Sequence, residues 1–131
     1  MSAIVDSILE ELSRKYHVPK PRYEITGDLP PGVVGAYEPV NETIYISRNL
    51  LKKPPEVIKH VVAHEFEHYL QDMRGMIGPF SPLRPVKREI LEAMAESRAK
   101  QISGLLATFP FRMNARFFCM LYDLEQNSET T

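Results

Sequence analysis

The chain has a single cysteine, Cys119, among 131 residues. It cannot form an intramolecular disulfide, which excludes a disulfide-framed secreted scaffold. No apolar run approaches the ~20 residues needed to span a bilayer. Neither sign of charge dominates, since 16 basic and 17 acidic side chains leave a formal charge of −1. A protein that coats nucleic acid or an anionic membrane needs a basic excess, so neither partner is expected beyond a local basic patch. The opening MSAIVDSILEELSRKYH carries Asp6, Glu10 and Glu11 and has no basic stretch leading into an apolar core. It reads as an amphipathic helix and not as a signal peptide, and the cytoplasm is the expected location. Internal repeats and low-complexity tracts are also lacking.

What is present is the make-up of an ordinary globular domain, 44% hydrophobic and 25% charged. At this length roughly two-thirds of the unfolded chain's surface is buried on folding, enough for a core without staples. One domain over residues 1–131 is expected, with 126–131 a frayed polar tail and a monomer as the default state.

Ile4, Val5, Ile8, Leu9 and Leu12 fall at helical spacing behind Ser2, a suitable N-cap. Strand-like runs follow at Arg22 to Thr26, Val33 to Val40 and Thr43 to Ser47. Pro39 cannot donate to a ladder, which assigns the middle run to a sheet edge. A long helical pattern then runs from about Glu56 to Arg74, and Gly75 stops it. The stretch GMIGPFSPLRP reads as an ordered loop, followed by a second long helix from about Val86 to Leu106. Its Met76, Ile77 and Phe80 could form a substrate wall, or could simply pack under the loop. Pro110 opens a third helix lined by Met113, Phe117, Met120, Leu121 and Leu124. The fold class is α+β: an N-terminal helix, a small antiparallel or mixed sheet, then three helices.

Inside the first long helix, residues 64–68 read His64-Glu65-Phe66-Glu67-His68, the pattern H-E-x-x-H. Residues four apart on a helix stand one turn along and only ~40° apart around the axis, so two imidazoles can converge on one ion. Glu65 lies ~100° from His64, placed to act on a water at that ion without being a ligand. Ile58, Val62, Phe66, Tyr69, Leu70 and Met73 fall on an arc roughly opposite. The histidines are therefore expected to face a cleft and not the core.

A catalytic zinc takes three protein ligands. The following helix offers Glu89, Glu92 and Glu96. Glu92 leads because Ala95, Ala99 and Ser103 share its face, and small residues permit a close approach of the two helices. Glu96, one turn on, suits an acceptor for a ligand imidazole. Asp72, four residues after His68, could orient that ring or simply sit at a helix end. His60, four before His64, reads as a helix-surface group or as an outer partner of the site. For Cys119, a buried thiol outweighs a metal-capping or redox role.

His64-Glu65-x-x-His68, followed by Glu92-x-x-Ala95-Glu96-x-x-Ala99 on a later helix, resembles the gluzincin zinc metallopeptidases and is most similar to the single-domain minigluzincins. The likeness runs from about Tyr23 to Ile102, with Glu96 standing where many members have Asp. No H-x-x-G-x-x-H extension follows His68, which disfavours the metzincins. The resemblance implies a zinc endopeptidase acting on a peptide or protein, with Zn2+ held by His64, His68 and Glu92. Glu65 would take the proton of the zinc-bound water and pass it to the leaving nitrogen. An extended peptide would add to an exposed strand edge, for which the Gly35 to Ser47 hairpin is the candidate rim. For the oxyanion the chain offers Arg112, Arg116 and Tyr122, among which nothing selects. The substrate-binding residues stay unknown. In minigluzincins the C-terminal segment can lie in the cleft, so the last helix is a candidate for holding the enzyme latent or for packing on the glutamate helix. A regulatory protein of the same fold, binding one partner with little proteolysis, is the alternative. The small size favours that alternative slightly, and Glu65, a base that mere binding does not need, speaks against it. A purely structural zinc is weakest, since such sites prefer four protein ligands rich in cysteine.

Overall fold

The computed structural model describes residues 2–77 and 85–105, without the side chains of 85–88. The helix expected from Pro110, Cys119, Arg112, Arg116, Tyr122, Phe80 and the tail 126–131 lie outside the described residues. Among the described residues, three α-helices and three strands follow one another in the order α1 (Ala3–Tyr16), β1 (Arg22–Thr26), β2 (Gly35–Glu38), β3 (Thr43–Ser47), α2 (Pro55–Met73) and α3 (Pro85–Ser103), with a short 3-10 turn at Arg48–Lys52 before α2. This is an α+β layout.

Helix α1 begins where Ser2 Oγ accepts the amide N–H of Val5, and it ends as His17 turns into the left-handed region at φ 56°. Its spaced apolar residues Val5, Ile8, Leu9 and Leu12 are buried. They meet Phe66, Tyr69 and Leu70 of α2 and Ile44 and Ile46 of the sheet in one core.

The sheet has the order β1-β3-β2. β2 runs antiparallel to β3, pairing Gly35 with Ile46 and Glu38 with Thr43. β1 runs parallel to β3, pairing Arg22 with Thr43 and Thr26 with Ser47. The sheet is thus mixed, because β3 returns between the two earlier strands. β2 lies at an edge of the sheet among the described residues, as expected from Pro39, and it is shorter than the run 33–40. Val33 is drawn into a turn in which its amide N–H donates to Pro30 O, and Pro39 closes the other end.

Pro55 occupies the first turn of α2, where its missing N–H costs nothing, and Glu56 favours the same positive helix end. The expectation of a separate histidine face open to a cleft is corrected here: every residue from His60 to Gln71 is buried. Helix α3 covers the polar side of α2, and Ala95 and Ala99, both fully buried, are the small residues that permit this approach. Met73, placed on the apolar arc, is instead 50% exposed at the helix end. Helix α3 stops before Gly104, whose φ of 76° is a conformation that side chains beyond glycine rarely adopt. No helix among the described residues is long and apolar enough to cross a membrane.

Candidate metal centre

Three ionisable side chains meet where α2 and α3 face each other. Glu92 Oε1 lies 2.8 Å from His64 Nε2 and 2.7 Å from His68 Nε2. One carboxylate oxygen therefore addresses both rings at once, and all three residues are fully buried. Helical periodicity places the imidazoles on one side of α2, and their centroids stand 5.0 Å apart. Glu65 joins from the same helix, since His64, Glu65 and His68 each offer a potential ligand atom within 4.8 Å of the others. Its position differs from that of Glu92, however. Neither Glu65 oxygen has a hydrogen-bond partner among the described residues, and the residue is fully buried.

Around these groups lies a second set of contacts. Glu96 Oε1 stands 3.2 Å from His64 Nδ1 and 2.9 Å from His60 Nε2. His68 Nδ1 stands 2.9 Å from Gln71 Oε1, and the Gln71 amide donates to Leu91 O at 2.9 Å. These outer bonds hold a proton on each Nδ1, while each Nε2 here donates to Glu92 Oε1 and is the nitrogen that would offer its lone pair to a metal replacing that proton.

The partner expected of Asp72 is corrected: Gln71, not Asp72, meets His68, while Asp72 accepts a hydrogen bond from Tyr37. Gln71 and Asp72 flank the His68 direction at about −60° and about +40° around the helix, and Asp72 is engaged by the hydroxyl of Tyr37 on β2. Glu89 is exposed and does not join the cluster. His60 is fully buried and is an outer partner, not a surface group. Gln71 was not expected at the site, and Ser103, expected only as a small residue on the Glu92 face, also meets His60. Their signals were helical spacing: Gln71 lies three residues after His68, and Ser103 lies on the Glu92 face of α3.

Edge strand β2 closes one side. A Cβ built on Gly35 would come 2.7 Å from Val61 Cγ1 and 3.2 Å from Glu65 Oε2. Real Cβ atoms essentially never show the first of these distances, so only glycine lets the strand lie this close to Glu65.

The electrostatics favour a cation. Burial alone would lower the pKa of His64, but its hydrogen bonds to Glu92 and Glu96 and the nearby charge of Glu65 push it up to about 10. Burial works to raise Glu92 and Glu96, yet the neighbouring histidines hold both carboxyls well below the usual range. Burial drives Glu65 well above that range, and the charges of Glu92 and Glu96 add to the rise against the pull of His64. Carboxylates this dry need positive charge beside them. A divalent ion can supply what protons supply otherwise. Two imidazole nitrogens and one carboxylate oxygen are a suitable donor set for a catalytic zinc, and Glu92 Oε2, without a hydrogen-bond partner among the described residues, leaves that carboxylate spare accepting capacity. The residues present fit the ion.

Nothing matches the chain among curated proteins or among solved structures. The family model of Peptidase family M48 does match, over residues 2–120. That span takes in α1, the sheet and both helices of the centre. A match over most of its length, with a His-Glu-His cluster suited to a metal at its middle, shows that the chain belongs to peptidase family M48, whose members are zinc-dependent metallopeptidases acting on peptides or proteins.

Proposed function

We propose that the chain is an endopeptidase of the minigluzincin kind in which His64, His68 and Glu92 hold the zinc and Glu65 is the general base. The observation that carries this reading is the division of labour between two buried glutamates. Glu92 Oε1 contacts both Nε2 atoms, whereas the Glu65 carboxylate lies beside them without a hydrogen-bond partner among the described residues.

Zinc held there supplies a Lewis acid for the scissile carbonyl and for the attacking water. Glu65 accepts the proton of that water as its oxygen bonds to the carbonyl carbon. It then gives the proton to the amide nitrogen as the C–N bond breaks. A dry setting that raises the proton affinity of Glu65 supports the first of these steps, the uptake of the proton. Among the described residues β2 has β3 on one side only, so its outer edge can pair with an extended peptide, and Gly35 brings β2 against Glu65.

The ligands and Glu65 are all fully buried. This supports a latent resting form that must open before a peptide can enter, and the C-terminal segment from Pro110 is the candidate cover. The same burial favours the second reading, a zinc-holding protein directed at one partner. Zinc-loaded wild type and Glu65→Gln, incubated in parallel with a mixed peptide library and read by mass spectrometry, separate the readings. Cleavage by wild type alone, or after removal of residues 110–131, supports the endopeptidase. Silence from intact and shortened chains, each with one zinc bound, supports the partner-directed protein.

A further inference from the structure

The two helices of the centre repeat one arrangement a turn apart. Glu92 Oε1 stands between His64 Nε2 and His68 Nε2, and Glu96 Oε1 stands between His60 Nε2 and His64 Nδ1. α2 thus carries His60, His64 and His68 at four-residue intervals against Glu92 and Glu96 of α3, with His64 shared through its two nitrogens. The second rung continues outward. His60 Nδ1 lies 2.9 Å from Ser103 Oγ, which in turn accepts the Leu105 amide N–H at 3.1 Å.

Donor chemistry gives this chain a direction. An ionised carboxylate oxygen only accepts, so His60 Nε2 and His64 Nδ1 both donate to Glu96 Oε1. A neutral His60 then has its lone pair on Nδ1, and the Ser103 hydroxyl donates to it. The backbone of Leu105 satisfies the serine oxygen. At the other end, the Nδ1 proton held by Glu96 makes Nε2, whose own proton meets Glu92 Oε1 here, the nitrogen of His64 that would be left to bind a metal. His60 contributes the shorter of the two bonds to Glu96, from the side away from the metal.

We infer that His60 is a positioning residue of the metal centre, anchoring Glu96 from behind so that its carboxylate stays aimed at His64 Nδ1, while Ser103 holds the His60 ring. This rests on the assignment of His64, His68 and Glu92 as zinc ligands. The competing use of the second rung, as a second cation site, would require His64 to give up both ring protons and serve two ions. The serine on His60 Nδ1 and the donor count argue for one.

The test is zinc affinity of the full chain, measured by competition with a chelator, alongside circular dichroism and zinc stoichiometry. His60→Leu fills similar space and cannot donate, and it is expected to bind zinc about 10–100-fold more weakly, the usual loss for an outer partner of a ligand. His60→Gln places an amide N–H near the position of Nε2 and should restore affinity close to wild type. His60→Asn is too short to reach Glu96 and should not. A purely packing role ranks the variants differently, with Leu tolerated best. Equal zinc affinity in the Leu and Gln variants, or two zinc ions per chain, overturns the inference. Should the Leu variant fail to fold, the Gln–Asn comparison decides it: Gln above Asn supports the inference, and equality or the reverse overturns it. Glu92→Ala separates the premise from the inference, because unchanged zinc binding there refutes the ligand assignment itself.

Discussion

Gly35 faces Glu65 across the gap between the edge strand β2 and helix α2, with room for no more than a hydrogen on Gly35. A Cβ there would lie 3.2 Å from both Glu65 Cγ and Oε2 and 2.7 Å from Val61 Cγ1. The strand proposed to receive the peptide and the carboxylate proposed to move the proton are thus built against each other. Gly35→Ala must push β2 and α2 apart or turn Glu65 aside. Stability is expected to fall by ~1–3 kcal/mol, the usual cost of overpacking, and kcat by about 10–100-fold, the order expected from a misplacement of about an ångström. Zinc content should stay at one per chain. Thermal melts, metal analysis and steady-state kinetics check the three quantities, and unchanged kcat would show that the contact does not set the base.

Glu65→Gln carries two expectations that pull in opposite directions. Turnover should fall by a factor of about 10²–10⁴, the contribution of a positioned proton acceptor. Stability should not fall with it. The wild-type carboxylate is buried with neither oxygen hydrogen-bonded among the described residues, and a neutral amide of the same shape is easier to bury. The metal-free variant is therefore expected to melt no lower than metal-free wild type. A clear drop in melting temperature would mean that the carboxylate makes a stabilising contact.

Gln71 ties one proposed ligand to the helix of another, accepting from His68 Nδ1 and donating to Leu91 O, one residue before Glu92. Gln71→Leu removes both bonds from a fully buried position. Zinc affinity should weaken about tenfold or more, with a stability loss of ~1–3 kcal/mol from the polar groups left unpaired. Chelator competition and denaturant unfolding read the two effects separately. Gln71→Glu keeps an acceptor toward His68 and loses the donor to Leu91, so it should retain more zinc affinity than the leucine variant.

Metal removal should be felt by the whole fold, because the centre joins α2 to α3. A ligand that binds only the folded chain stabilises it by ~2.7 kcal/mol at a hundred times its dissociation constant. Chelation is expected to lower the melting temperature of wild type and to leave Glu92→Ala unmoved, since that variant has little zinc to lose. Glu89→Ala, altered at an exposed position on the same helix, should respond to chelation as wild type does.

The parts of this molecule that were legible in the sequence are those governed by local periodicity. Helical spacing marks α1 with its Ser2 cap, puts His64 and His68 on one side of α2, and brings Glu92 onto the face of α3 that carries Ala95 and Ala99. Pro39 marks β2 as an edge because a missing donor is a local fact. What stayed hidden depends on partners distant in the chain. The parallel pairing of β1 with β3 is a choice among neighbours that the strand residues do not announce. The burial of the histidine face follows from the approach of α3, and the choice of Gln71 over Asp72 for His68 follows from Tyr37, 35 residues before Asp72. A helical wheel read alone cannot show that His60 is covered, because its wheel position is that of a surface histidine until Glu96 and Ser103 arrive.

The most direct test of the metal centre is an anomalous difference map from zinc-loaded crystals, with data on both sides of the zinc edge. One peak is expected, ~2.0–2.1 Å from His64 Nε2 and His68 Nε2 and bound by Glu92, with Glu65 outside the bonding distance. A peak lying instead among His60, His64 Nδ1 and Glu96, or a map with no peak in crystals grown at saturating zinc, would contradict the account.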